Sequence, residues 1–242
     1  MIAHQSYNRS QILNALPDAE YSRLLAKFET VSLDFKQIIY DCGEPVEFIY
    51  FPNQCVVSLI SVIEGGSKVE VSMVGNEGLV GLAALLGCGI APNQALTLVA
   101  GRATRVEVAA VKEEFNRGGL LHEILLHYMQ VMLAQLSQNA SCNRVHSIEE
   151  RLSRWLLMIC DRAESLEFSL THEFISDLLG TRRAGVTVAA GLLQKKDIIR
   201  YSRGRVVVVD RRGLEERACK CYKAARQEYD HFAQFLRSGP PL

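Results

Sequence analysis

The stretch LTHEFISDLLGTRRAGVTVAAGLLQKKDIIRYSRGRVVVVD, residues 170–210, constrains this chain more than any other. Phe174, Ile175, Leu178 and Leu179 fall on one face of a first helix, for which Thr171 is a good N-cap because its hydroxyl can accept a free N–H. Gly180 ends that helix, since glycine most easily takes the left-handed conformation at C′. Val186, Ala189, Ala190 and Leu193 make the inner stripe of a second helix, leaving Arg182, Arg183 and Thr187 near its N-terminal, outward side. A basic hairpin carrying Arg203 and Arg205 follows. Helix, tight turn, helix and hairpin is the order of parts with which a small domain places its second helix in the major groove.

Charge supports that reading. Residues 182–212 hold Arg182, Arg183, Lys195, Lys196, Arg200, Arg203, Arg205, Arg211 and Arg212 against Asp197 and Asp210, a surplus of seven positive charges. The chain as a whole is neutral, but residues 1–143 hold nine Lys and Arg against fourteen Asp and Glu, so only the later part suits a polyanion. No run of eighteen apolar residues exists, and MIAHQSYNRSQILNALP lacks the basic start and apolar core of a secretory signal; a cytoplasmic protein without a membrane partner is expected.

Ahead of this segment, residues 29–110 read as strands. KQIIY (36–40), EFIYF (47–51), CVVSLISVI (55–63), KVEVSMV (68–74), ALTLVA (95–100) and RATRVEVAA (102–110) are rich in β-branched and aromatic residues. Turn residues separate them, as in Glu64-Gly65-Gly66-Ser67 and Gly75-Asn76-Glu77-Gly78. Close spacing favours an antiparallel, jelly-roll-like β-roll.

A long helix at roughly 119–143 carries two apolar stripes. Leu121, Leu125, Tyr128 and Met132 form the first, and Leu126, Met129, Leu133, Leu136 and Ala140 the second. One stripe can cover the roll while the other meets a second subunit, and the first is assigned to the dimer interface. Ser147-Ile-Glu-Glu150 is a capping box opening a further helix, whose inner face carries the only tryptophan, Trp155.

These residues together resemble the Crp/Fnr superfamily of bacterial transcription regulators. The resemblance rests on Phe51-Pro52, Gly75-Asn-Glu-Gly-Leu-Val-Gly81, Glu149-Glu-Arg-Leu-Ser-Arg-Trp-Leu156, Leu170-Thr-His-Glu-Phe174, Leu179-Gly-Thr-Arg-Arg183, Val186-Thr-Val-Ala-Ala190, Ile199-Arg-Tyr-Ser-Arg-Gly-Arg205 and Asp210-Arg-Arg-Gly-Leu-Glu215. It implies an α+β chain with a cyclic-nucleotide-binding-like sensor roll at 1–118 and a dimerisation helix at 119–145. A winged helix-turn-helix domain at 146–218 and a C-terminal helical tail at 219–242 follow. By resemblance, Arg183 occupies the guanine-reading position, Ala184 replaces the usual glutamate and Val188 a second base-reading arginine. Thr171, Thr181, Arg182, Thr187, Arg203 and Arg205 complete the DNA-binding set. Double-stranded DNA and a second copy of the chain are the implied partners, with RNA polymerase if the protein activates.

The effector pocket is assigned to Gly75, Glu77, Gly78, Gly81, Leu82, Asn93 and Gln94. Gly81-Leu82 and Asn93-Gln94-Ala95 stand where cyclic-AMP-binding relatives place an arginine and a glutamate, which argues against cyclic AMP because a buried phosphate needs a counter-charge. No cysteine precedes Cys42, which argues against an iron–sulfur sensor, and no axial ligand for haem is identifiable in the pocket. Seven scattered cysteines without a C-x-x-C pair indicate reduced thiols and no metal site; Cys219-Lys-Cys221 is the closest approach and reads as structural. G-x-S-x-G, H-E-x-x-H and P-loop patterns are lacking, so an enzyme is not expected. The rival reading is a ligand-binding regulator of a protein partner that does not touch DNA.

Overall fold

A computed structural model describes residues 9–63, 66–87 and 89–239. Glu64 and Gly65 of the expected turn, and Cys88, lie outside the described residues. After two short helices, α1 (Gln11–Ala15) and α2 (Asp18–Leu25), the chain enters the roll. Its strands are β1 (Glu29–Leu33), β2 (Ile38–Tyr40), β3 (Phe48–Pro52), β4 (Val56–Val62), β5 (Lys68–Val74), β6 (Gln94–Val99) and β7 (Gly101–Glu107), with a one-turn helix α3 (Ala83–Leu86) before β6. They pair antiparallel in two sheets, ordered β1-β7-β3 and β2-β6-β4-β5.

Strand alternation explains why β4, β5 and β6 read as nearly continuous apolar runs. Val57, Val74 and Ala95 point into the roll. Their neighbours Val56, Met73 and Leu96 point out, into a core shared with Trp155 and the C-terminal domain. A sheet covered on both faces needs apolar residues on both. The last expected strand ends early: Val108–Asn116 forms helix α4, so the segment 102–110 is part strand and part helix.

Helix α5 runs Leu120–Val145. It is capped from a distance, the Glu20 carboxylate accepting the Leu120 and Leu121 N–H groups at 2.8 Å each. Gly119 leaves room for that carboxylate, which a Cβ there would push aside. The dimer-stripe assignment is corrected here. Leu121, Leu125, Tyr128 and Met132 are buried against the roll of their own chain, in one core with Ile49, Phe51 and Leu79. The stripe left open is the second one, Leu126, Leu133 and Leu136, with Leu133 65% exposed.

Helix α6 (Ile148–Ala163) opens on the complete capping box of Ser147 and Glu150. Strand β8 (Glu167–Ser169), α7 (His172–Leu178), α8 (Arg183–Lys195), β9 (Ile199–Ser202), β10 (Arg205–Val208) and α9 (Arg211–Arg217) complete the small domain. Its sheet is ordered β8-β10-β9. Three-residue β8 had no signal of its own in the sequence; its pairing with β10 creates it. The tail forms α10 (Cys221–Ser238), which folds back on α5: Phe232 and Phe235 enter the core between the roll and α5, and the Phe235 ring stacks on His127 at 3.9 Å.

Candidate nucleic-acid interface and sensor pocket

Helix α7 begins at Thr171, whose hydroxyl accepts the Phe174 N–H at 3.2 Å. It turns at Gly180 with φ +56°, where a Cβ would come within 3.0 Å of the Val69 side chain on β5. Helix α8 then buries Val186, Ala189, Ala190 and Leu193 and turns Arg183, Ala184, Thr187 and Val188 outward. Val188 is 64% exposed and so takes no part in the domain core. Thr187 donates to the Arg183 carbonyl at 3.0 Å and meets His172 Nδ1 at 3.0 Å, so its methyl is the part left for a partner. Burial, then the neighbouring Arg183 charge, lowers the pKa of His172. Thr181 lies half-buried at the turn, its N–H bonded to the Ser176 carbonyl at 2.9 Å.

The wing turns through Arg203 and Gly204, both at positive φ (50° and 77°). Two such residues make the tight hairpin turn that suits the twist of the strands. The cationic surplus is smaller than its sequence count. Lys196, Arg205, Arg211 and Arg212 are paired with Glu149, Glu167, Asp161 together with Glu215, and Glu216 respectively. Arg205, expected from the sequence to grip the DNA backbone, is paired with Glu167 of β8. Arg182, Arg183, Lys195, Arg200 and Arg203 have no carboxylate within 4.0 Å among the described residues.

The expected effector residues separate. Gly81, Leu82 and Asn93 line a cavity of about 230 Å³ between the roll and α5, closed by Tyr40, Met129 and Leu133. Its lining carries no charged side chain. The other four residues are not there. Glu77 accepts from Arg162 Nε at 2.7 Å, an ion pair with side chains 11% and 6% exposed. Gly75 and Gly78 let Arg162 and the Tyr128 ring approach, because a Cβ at either place would clash. Gln94 accepts from Lys68 at 3.1 Å and donates to Asp41. Thus the Gly75–Gly78 turn packs against Arg162 and Tyr128 and does not line this cavity. Met129 and Met132 also line the pocket, thioethers that the sequence alone does not identify there as candidate axial ligands for haem.

Two contacts tie α6 to the roll. Besides Arg162 with Glu77, the Trp155 indole N–H donates to Glu70 at 2.9 Å, and Ser58 donates to the same carboxylate at 2.5 Å. Burial pushes the Glu70 carboxyl up to about 7, against the opposing pull of its two donors and of Arg154.

Sequence spacing missed one constellation. Cys142, His146, Cys219 and Cys221 bring their ligating atoms within 4.8 Å of one another, which corrects the expectation that the chain has no metal-competent group. The available signal was the i, i+4 spacing of Cys142 and His146, which puts both on one helix face. The hydrogen bond with Cys219, then the Arg154 and His146 charges, pull the Cys142 thiol pKa down against the cost of burial.

Among the described residues, no helix is long and apolar enough to cross a membrane. Residues 150–217 match the family described as Crp-like helix-turn-helix domain. The global nitrogen regulator of Nostoc sp. is 19% identical over 217 residues, 86% of this chain and 95% of its own. Among solved structures, FixK2 from Bradyrhizobium japonicum superposes with a TM-score of 0.66 at 17% identity, covering 79% of this chain and 98% of that one. A CRP/FNR-family transcriptional regulator of Thermus thermophilus gives 0.63 at 21% identity, covering 78% and 98%. This chain therefore carries a Crp-like helix-turn-helix domain joined to an antiparallel β-roll, in the fold of the Crp/Fnr regulators.

Proposed function

We propose that this protein is a cytoplasmic, DNA-binding transcription regulator that works as a homodimer on a pseudo-palindromic operator. The observation that carries the reading is the outward face of α8, with Arg182 and Arg183 free of carboxylates beside an exposed Thr187 and Val188. Arg183 takes a guanine through O6 and N7, and the Thr187 or Val188 methyl groups meet thymine. Arg182 and the wing arginines Arg203 and Arg205 hold phosphates, which position the domain without reading sequence. The dimer seam is the open stripe Leu126, Leu133 and Leu136 on α5, and the paired recognition helices then meet major grooves about 34 Å apart. The pocket beneath that stripe takes a small molecule other than cyclic AMP, because nothing charged lines it to answer a cyclic phosphate. RNA polymerase is a partner if the protein activates.

Selection of duplexes from a random pool tests this directly and is expected to return inverted half-sites. Fluorescence anisotropy then measures the salt dependence. Arg203→Ala should lower the slope of log K against log salt by about 1. Arg205→Ala should lower it less, since Glu167 already holds that guanidinium. Failure of the chain to bind any duplex at low salt overturns the proposal.

A further inference from the structure

We propose that Cys142, His146, Cys219 and Cys221 form a tetrahedral zinc site that clamps the junction between the sensor helix and the DNA-binding domain. Cys142 lies in the last turn of α5, and His146 is its C-cap. Cys219 follows α9, and Cys221 opens α10. Cys142 Sγ lies 3.6 Å from Cys219 Sγ, and Cys221 Sγ lies 3.7 Å from His146 Nδ1. Zinc–sulfur and zinc–nitrogen bonds of about 2.3 and 2.0 Å at tetrahedral angles place neighbouring ligands roughly 3.5–3.8 Å apart. The two edges already have that length. Three thiols and an imidazole are soft donors, which select zinc over magnesium or calcium.

A second observation points the same way. Arg151 and Arg154 are 7% and 4% exposed, and neither has a carboxylate within 4.0 Å among the described residues. Each has an Nε without a hydrogen-bond partner. Both lie within electrostatic reach of the Cys142 sulfur. Arg154 feels the Glu70 carboxyl only from beyond 4.0 Å, and buried cations so weakly answered are costly. Zinc(II) displaces three thiol protons, and three thiolates with a neutral imidazole around it leave one net negative charge beside those guanidinium groups. Gln138 Nε2 donates to Cys221 Sγ at 2.8 Å, an outer contact that orients the ligand.

The position gives the site its consequence. His146 immediately precedes Ser147, the cap of α6, so the metal joins the end of the sensor helix, the end of the winged domain and the start of the tail. A filled site holds the angle between α5 and α6.

The test uses the full chain, purified anaerobically with reductant, stripped and titrated with cobalt(II). One equivalent should give thiolate charge-transfer and tetrahedral ligand-field bands, which zinc(II) then bleaches. His146→Gln and Cys219→Ser should weaken cobalt binding by on the order of 100-fold or more. Cys42→Ser, which alters an exposed thiol outside the cluster, should change nothing. His146→Gln removes no buried apolar side chain, and its circular dichroism confirms that the chain still folds. Hydrogen exchange over residues 139–149 and 217–224 should slow when zinc is added. Absence of tetrahedral bands in reduced protein, or a Cys142–Cys219 disulfide as the sole chemistry of the cluster, overturns the site. Metal binding without slowed exchange overturns the clamp.

Discussion

Two groups of arginines divide this molecule. Those on α8 and the wing tip, Arg182, Arg183, Arg200 and Arg203, are exposed and free of carboxylates. Those on α6, Arg151, Arg154 and Arg162, are buried. Arg162 is paired with Glu77, its guanidinium lying over the Tyr229 ring at 4.6 Å, and Arg151 donates to the Leu179 carbonyl. In sequence both groups are ordinary basic residues on amphipathic helices. Surroundings separate them: a guanidinium facing solvent can exchange water for phosphate, whereas one desolvated by a second domain must be satisfied inside the protein. The first group is the one proposed to act on a partner, and within the second Arg162 ties α6 to the roll through Glu77.

The strongest way to break this comparison is Arg162→Met. It leaves Glu77 buried without its partner and should cost about 3–5 kcal/mol in denaturant unfolding. Adding Glu77→Gln should recover much of that loss. A cost below about 1 kcal/mol would mean that the pair is solvated and the two groups do not differ.

Glu70→Gln probes the same junction through pH. The folded carboxyl titrates near 7 and the unfolded one near 4.5. Across that window the folded protein keeps a proton that the unfolded chain releases, so stability falls as pH rises and then levels off. The glutamine variant lacks that slope. Above pH 7 it should exceed the parent by up to about 3 kcal/mol, and near pH 4.5 the two should coincide. Parallel stability curves for parent and variant would contradict the buried carboxylate.

Arg183→Ala sharpens the other side. It should shift unfolding by no more than about 0.5 kcal/mol, while operator discrimination at one base pair falls by about 1–3 kcal/mol. Equal weakening on operator and random duplex would reassign Arg183 to phosphate. The smallest effect is expected of Thr171→Ala, which removes the α7 cap and should cost about 1 kcal/mol without changing base preference.

How much of this was legible follows from where each signal resides. The capping box at Ser147, the Thr171 cap, Gly180 and the buried stripe of α8 are local, and all appear in the structure as read. Helix α4 was obscured because Val108-Ala-Ala continues the apolar character of β7, so the boundary carries no turn residue. Strand β8 exists only by pairing. The Gly75–Gly81 turn was visible as glycine-rich, but its occupants, Arg162 and Tyr128, come from positions far along the chain. Cys142 and Cys219 are likewise joined only after α10 folds back onto α5.

The amino-acid sequence by itself determined the order of parts, the helix caps and the outward arginines of α8, because periodicity and capping act over a few residues. Tertiary structure alone decided which stripe of α5 stays open, which cations are already answered and which thiols meet. Those outcomes depend on the surface that each side chain is packed against, and burial between distant segments leaves no mark at the single residue.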